Sequence, residues 1–250
     1  PAAGEEGDVS FDYTITDGDD DTSTATATLS LQDDSTPTIN VVQAEGDDGV
    51  VSESALPSGS GSGDLTTGGT LEVNTGNDDL GVRQVQDVNG NWISIEADGT
   101  TVQGTYGELA VDLDGGWTYT LTGNTTDHDG VNQTGTDDQV QDAFQVRATD
   151  DEGDVSDEAT LTVDINDDGP VAADDDGITQ TQENAPVIVD VFANDTAGAD
   201  GVDLASGVAL VAGSLTGNGS LAYNNDVLFT YTPAAGEEGD VSFDYTITDG

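Results

Sequence analysis

The chain has 250 residues, with 52 Asp and Glu against two basic residues, Arg83 and Arg147, and a formal charge of −50. That balance excludes nucleic acid and anionic membrane as partners, since both would be repelled, and it calls for bound cations or high salt to relieve the self-repulsion. With no Cys, disulfides, thiolate metal sites and cysteine catalysis are also excluded, so an extracellular chain of this kind needs another stiffener, for which hard-cation coordination is the candidate.

Apolar and polar residues alternate in segment after segment. In chain order these are Phe11, Tyr13 and Ile15; Ala25, Ala27, Leu29 and Leu31; Leu109, Val111 and Leu113; and Trp117, Tyr119 and Leu121. Phe144, Val146 and Ala148 follow, then Ala159, Leu161, Val163 and Ile165, and finally Val227, Phe229 and Tyr231. A period of two with Thr, Val and Tyr enrichment predicts half-buried antiparallel strands. The intervening clusters (TDGDDD, DVNGN, ADGT, DLDGG, DDEGD) have turn chemistry, and no segment has a helical period. The fold expected is all-β, a string of immunoglobulin-like sandwiches.

The segment PAAGEEGDVSFDYTITDG occurs twice without a difference, at 1–18 and 233–250, which sets a repeat period of 232. The chain is therefore expected to be a window in a longer, quasi-linear tandem array, which favours a spacer or structural role over catalysis. Acidic, Pro-terminated linkers, QDDSTP and NDDGP, mark the boundaries. Residues 1–36 read as the closing strand pair of a preceding module, 37–169 as a complete sandwich, and 170–250 as a module lacking its last strand. Continued by the equivalent of 19–36, the last module reaches about 98 residues, near the ~100 of an immunoglobulin-type sandwich. The stretch SGSGSGD at 58–64 reads as a surface loop within a module. No apolar run reaches membrane-spanning length, and no signal peptide is visible.

The run FTYTPAAGEEGDVSFDYTITDG, continued in the other copy by DDDTSTATATLSLQDD, resembles the cadherin-like bacterial Ig repeats of giant adhesins, as does ENAPVIVDVFANDT at 183–196. GELAVDLDGGWTYTLTGN at 107–124 resembles the signature of VCBS-type repeats, and VVSESALPSG at 50–59 is similar to segments of type I-secreted RTX adhesins. The nonapeptide of RTX β-rolls is absent. The resemblance implies calcium-dependent extender modules between a membrane-proximal anchor and distal ligand-binding domains, on the bacterial cell surface. Its implied partners are neighbouring copies of the same repeat.

In a string of such sandwiches the turn between the last two strands faces the preceding module. For the middle module that turn offers Asp150, Asp151, Glu152 and Asp154, and the incoming linker offers Asp33 and Asp34. For the other module the turn is that of Asp17, Asp19, Asp20 and Asp21, and the linker it would meet holds Asn166, Asp167 and Asp168. Two acidic clusters meeting are unfavourable unless a cation joins them, and Ca²⁺, with six to eight oxygen ligands, is suited to do so. By resemblance to cadherin-type junctions, where a glutamate near the module's start joins the linker ligands, Glu53 and Glu183 are assigned to these sites. The competing reading is that the loops are merely acidic and solvated.

Other clusters are weaker. Asp87, Asn89 and Asn91 have calcium-loop spacing, but an Asn-Gly turn explains them as well. Asp112 and Asp114 are expected to shape a hairpin turn. His128, the single histidine, is read as a loop residue, because a transition-metal site would want more nitrogen ligands. Trp92 and Trp117 could stack on a sugar if exposed, and Trp117 alternates with core positions. With one His and no Lys or Cys there is no supported catalytic base or nucleophile, so no enzyme is expected. A calcium-rigidified adhesin extender is the expected function, and a carbohydrate- or partner-binding module is the alternative. Head-to-tail strand complementation between molecules is a further expectation, because the strand missing from the last module, 19–36, lies at the other end of the chain.

Overall fold

The computed structural model describes residues 7–31, 35–46, 48–61, 63–128, 130 and 133–248. They form an all-β protein with Ig-like β-sandwich architecture.

At the N-terminus β1 (Gly7–Thr16) and β2 (Thr22–Leu31) form an antiparallel hairpin with an unbroken register from Gly7↔Leu31 to Thr16↔Thr22. The expectation of half-buried strands fails here. Phe11 is 54 % exposed, and Val9, Tyr13, Ile15 and Leu29 also lie exposed. Alternation creates an apolar face, but burial requires a second layer, and no other strand of the described residues pairs with this hairpin.

The middle unit supplies two layers. One sheet has the order β3 (Thr38–Gln43), β5 (Thr66–Asn74), β10 (Gly116–Leu121), β9 (Gly107–Val111), β8 (Thr100–Gln103), numbered in chain order. The other runs β4 (Val50–Ser52), β12 (Ala159–Asp167), β11 (Gly135–Asp150), β6 (Leu80–Gln86), β7 (Trp92–Ser94). Their inward residues interdigitate in one core, with Leu71, Leu109, Trp117 and Tyr119 from the first sheet meeting Val85, Phe144, Val146, Leu161 and Ile165 from the second. Burial of each large side chain is worth about 1.5–3 kcal/mol. The period-two reading holds strictly in β9, β10 and β12. Leu113 departs from it: β9 ends at Val111, and Leu113 is exposed in the turn that follows.

One pairing is parallel. β4 lies beside β12 with Asp164↔Val50, Ile165↔Val51 and Asn166↔Ser52. Both strands therefore finish at the same end of the sandwich, and the 3-10 turn Glu53–Ala55 sits where β12 delivers its linker.

The last unit has two smaller sheets, β13 (Val187–Asp190), β16 (Leu228–Thr232), β15 (Ser220–Tyr223) and β14 (Val208–Leu210), β17 (Tyr245–Ile247). They enclose a core of Val189, Val191, Val208 and Phe229. Val227, expected to alternate inward, instead precedes β16 at φ 70°. A groove of about 1000 Å³ opens between 172–178 and 237–245. Its lining includes Tyr245, the first residue of β17.

Candidate cation sites at the ends of the middle sandwich

The exit end is built by the strand pairing just described. Asp167 ends β12 on its buried face, and β4 brings Glu53 alongside. Glu53 has no solvent exposure. Its Oε1 accepts the Thr125 N–H at 2.5 Å, while Oε2 is buried with no hydrogen-bond partner. Burial pushes the Glu53 carboxyl up to about 7; the Thr125 N–H opposes this, and the charges of Asp200, Asp167 and Asp168 add to it.

His128 faces this carboxylate, with Nε2 3.9 Å from Glu53 Oε2 and Nδ1 3.5 Å from Asp138 Oδ1. Its side chain is only 4 % exposed. One ligand atom each from Glu53, His128 and Asp167 lie within 4.8 Å of one another.

Two loops clasp the exit linker. Ser60 donates its N–H (2.8 Å) and its hydroxyl (2.5 Å) to the two oxygens of Asp168. The Ser-Gly stretch packs on the 3-10 turn so tightly that a Cβ on Gly59 would lie 2.5 Å from the Glu53 carbonyl oxygen. Ser58 Oγ donates to the Ala199 carbonyl, and Asn124 Nδ2 donates to Asp200 Oδ1 at 2.7 Å. Ala199, which follows β13 in the last unit, packs into the core of the middle sandwich. The junction is thus closed by side chains from both units.

The incoming end carries a second cluster. Asp150 is buried; its Oδ1 accepts the N–H groups of Gly153 and Asp154 at 2.8 Å each, and its Oδ2 is buried without a partner. Asp151 Oδ1 accepts from Asp79 N, and the Asp151 N–H donates to the Asp79 carbonyl. Asp78 Oδ2 accepts from Ser35 N at 3.1 Å, which ties the incoming linker to this end. A hydrogen bond to Asp151, with the charges of Asp78 and Asp150 nearby, pushes the exposed Glu152 carboxyl up to about 7.

Against the sequence expectations, several residues stand elsewhere. Asp33 and Asp34 lie outside the described residues. Glu53 does not face the incoming linker: the parallel β4–β12 pairing carries it to the outgoing one, beside Asp167 and Asp168. Asn166 is turned away from Asp167 by the two-residue period and accepts from Gln139 Nε2 instead. Glu183 is exposed on the groove of the last unit, not at the 166–168 linker. Asp17, Asp19 and Asp21 lie close enough to share an ion, but Asp17 is consumed in its own turn, its Oδ1 accepting from the N–H groups of Asp19 and Asp21. Asp87 is likewise spent on Asn89 and Asn91, as an Asx turn requires.

Sequence reasoning missed Asp78, Asp79, Asp138, Asp200 and the burial of His128. It also missed Asp142, which is buried and accepts from the N–H groups of Thr105, Tyr106 and Gly107 and from the Tyr119 hydroxyl. The signal for Asp142 was available: it stands in phase with the inward-facing Phe144, Val146 and Ala148 of the same strand. Trp117 is buried in the core and so closed to sugar stacking, and the Arg147 guanidinium takes one face of the half-buried Trp92 ring at 4.0 Å.

Residues 166–250 match the bacterial Ig domain family. Bacterial Ig domains occur as repeat modules of surface proteins, and the sandwich is a typically non-catalytic fold. None of the curated proteins compared with the chain matches it. Among the described residues, no helix is long and apolar enough to cross a membrane.

Proposed function

We propose that the chain is a cation-rigidified extender segment of a long bacterial surface adhesin of the RTX, type I-secreted class, holding distal binding domains away from the cell for adhesion and biofilm formation. The observation that carries this reading is that each end of the middle sandwich gathers carboxylates around its linker. At the exit end Glu53 and Asp200 converge on Asp167 and Asp168, and at the incoming end Asp150 and Asp151 lie beside Asp78, which holds Ser35. Buried, unpartnered Glu53 Oε2 and Asp150 Oδ2 are the atoms a cation would satisfy. The all-oxygen donor set at the incoming end fits Ca²⁺, which would neutralise the cluster and stiffen the linker.

The partners proposed are neighbouring copies of the repeat. Among the described residues β17 pairs only with β14, and the groove beside it is lined by 239–245, a segment whose residues are identical to those that pair with β2 in the hairpin. A strand equivalent to Thr22–Leu31, continuing in the array or lent by another molecule, fits that groove.

The decisive measurement is small-angle scattering and thermal unfolding in EDTA and in millimolar Ca²⁺ at constant ionic strength. Calcium is expected to lengthen and sharpen the maximum dimension and to raise the Tm by mass action on the folded state. Identical curves in both conditions refute the proposal.

A further inference from the structure

The exit site differs from the incoming one in a single chemical respect: it contains an imidazole. Ca²⁺ takes oxygen ligands, whereas imidazole suits Zn²⁺ and its first-row neighbours. His128 Nε2 and Glu53 Oε2, 3.9 Å apart, are both buried without a hydrogen bond, and Nδ1, also without one, has the Asp138 carboxylate near it. A buried imidazole and a buried carboxylate oxygen left unpaired together are costly, and a shared cation relieves both. Donor atoms of Glu53, His128 and Asp167 within 4.8 Å of one another are spaced to converge on one ion at bond lengths of about 2.0–2.2 Å after small side-chain rotations.

The far nitrogen has a partner of the right kind. Asp138 Oδ1 stands 3.5 Å from Nδ1, and the same carboxylate is fixed by the Gly130 N–H on its Oδ2 at 2.7 Å. A carboxylate behind a ligating histidine holds the tautomer that turns the other nitrogen to the metal. Neighbouring Asp127 is otherwise engaged, its Oδ2 accepting from the Tyr106 hydroxyl. Asp168 and Asp200 are held by Ser60 and Asn124, so they surround the seat without filling it.

We propose that Glu53, His128 and Asp167 form a mixed nitrogen–oxygen site for a transition divalent cation of the Zn²⁺ class, with Asp138 orienting the imidazole. This rests on the reading of the exit junction as a cation seat, and is independent of whether calcium fills the all-oxygen cluster at the incoming end. The site would make one junction of each repeat respond to a different metal from the other.

The test exploits His128 being the single histidine of the chain. In protein carrying ¹⁵N-labelled histidine, the imidazole spectrum reports one residue. Near-stoichiometric Zn²⁺ is expected to shift the Nε2 resonance while Nδ1 keeps its proton, and millimolar Ca²⁺ should not reverse the shift. His128→Gln should abolish stoichiometric Zn²⁺ binding while leaving the Ca²⁺-induced rise in Tm intact. Asp138→Asn should weaken Zn²⁺ by about 10–100-fold. An Nε2 resonance that ignores Zn²⁺, that calcium restores to its metal-free position, or that belongs to an imidazolium held between Glu53 and Asp138 with Zn²⁺ present, overturns the proposal. Zn²⁺ inert with calcium stabilising would refute this site alone; the reverse would refute the calcium reading alone.

Discussion

Replacing Glu53 by Gln separates a buried carboxylate from a cation ligand, because the two roles give opposite signs. The wild-type carboxyl ionises near 7 in the folded chain against an ordinary 4.5, principally because it is buried. As pH rises above 4.5 the unfolded chain loses this proton first while the folded chain keeps it. Stability from this group therefore falls between about pH 4.5 and 7, and the full penalty, about 3 kcal/mol at 1.36 kcal/mol per pH unit, holds above 7. Gln keeps an oxygen for the Thr125 N–H, has nearly the same shape and carries no charge. In EDTA at pH 8 the variant is expected to unfold later than wild type, by a Tm difference on the order of 10 °C for a module of this size. At pH 4.5 the difference should vanish. With divalent cation present the order should invert, since the wild-type charge is then paired and the variant lacks the ligand. Calorimetry at the two pH values, with EDTA or metal, measures all three. A variant less stable than wild type in EDTA at pH 8 refutes the reasoning, as it would show Glu53 to be valued for its hydrogen bonding and not burdened by its charge.

Asp142→Ala removes the acceptor of the buried Gly107 N–H and Tyr119 hydroxyl and of the part-buried Thr105 and Tyr106 N–H groups, and should cost about 3–5 kcal/mol in urea unfolding regardless of metal; a loss under 1 kcal/mol would contradict the network. Asp150→Asn with Asp151→Asn should reduce the calcium-induced gain in Tm while circular dichroism stays β-like, because the core draws on other residues; an undiminished gain places the calcium elsewhere. A synthetic peptide of residues 19–36 should bind the chain and protect the amides of 241–247 from hydrogen exchange, whereas a scrambled peptide should not. Equal protection by both would dismiss strand addition at that edge.

Local chemistry was legible wherever a residue's fate depends on its neighbours in the chain. Alternation placed Tyr119, Phe144 and Ile165 inward, and Asn-Gly or Asp-Gly chemistry placed the turns at 87–91 and 112–116, because both rest on the two-residue pleat and on short-range hydrogen bonds. The acidic linkers were legible as sites of unbalanced charge for the same reason. The partners of those charges were not. Glu53 meets Asp167 through a parallel pairing between segments about a hundred residues apart, and nothing in either segment encodes the direction of that pairing. His128 is buried by the loops that close the exit end, which composition reads only as polar.

The duplicated segment shows the limit most directly. Residues 7–16 form a ten-residue strand with Phe11 exposed, while the identical residues 239–248 are strand only at Tyr245–Ile247, with Phe243 packed on Phe229 at 5.1 Å. The sequence by itself determined the apolar face of this segment, its polar face and its capacity for β structure. Which backbone edge is paired and whether the face is covered were decided by the tertiary structure, because hydrogen bonds and burial both require a partner that the segment does not contain.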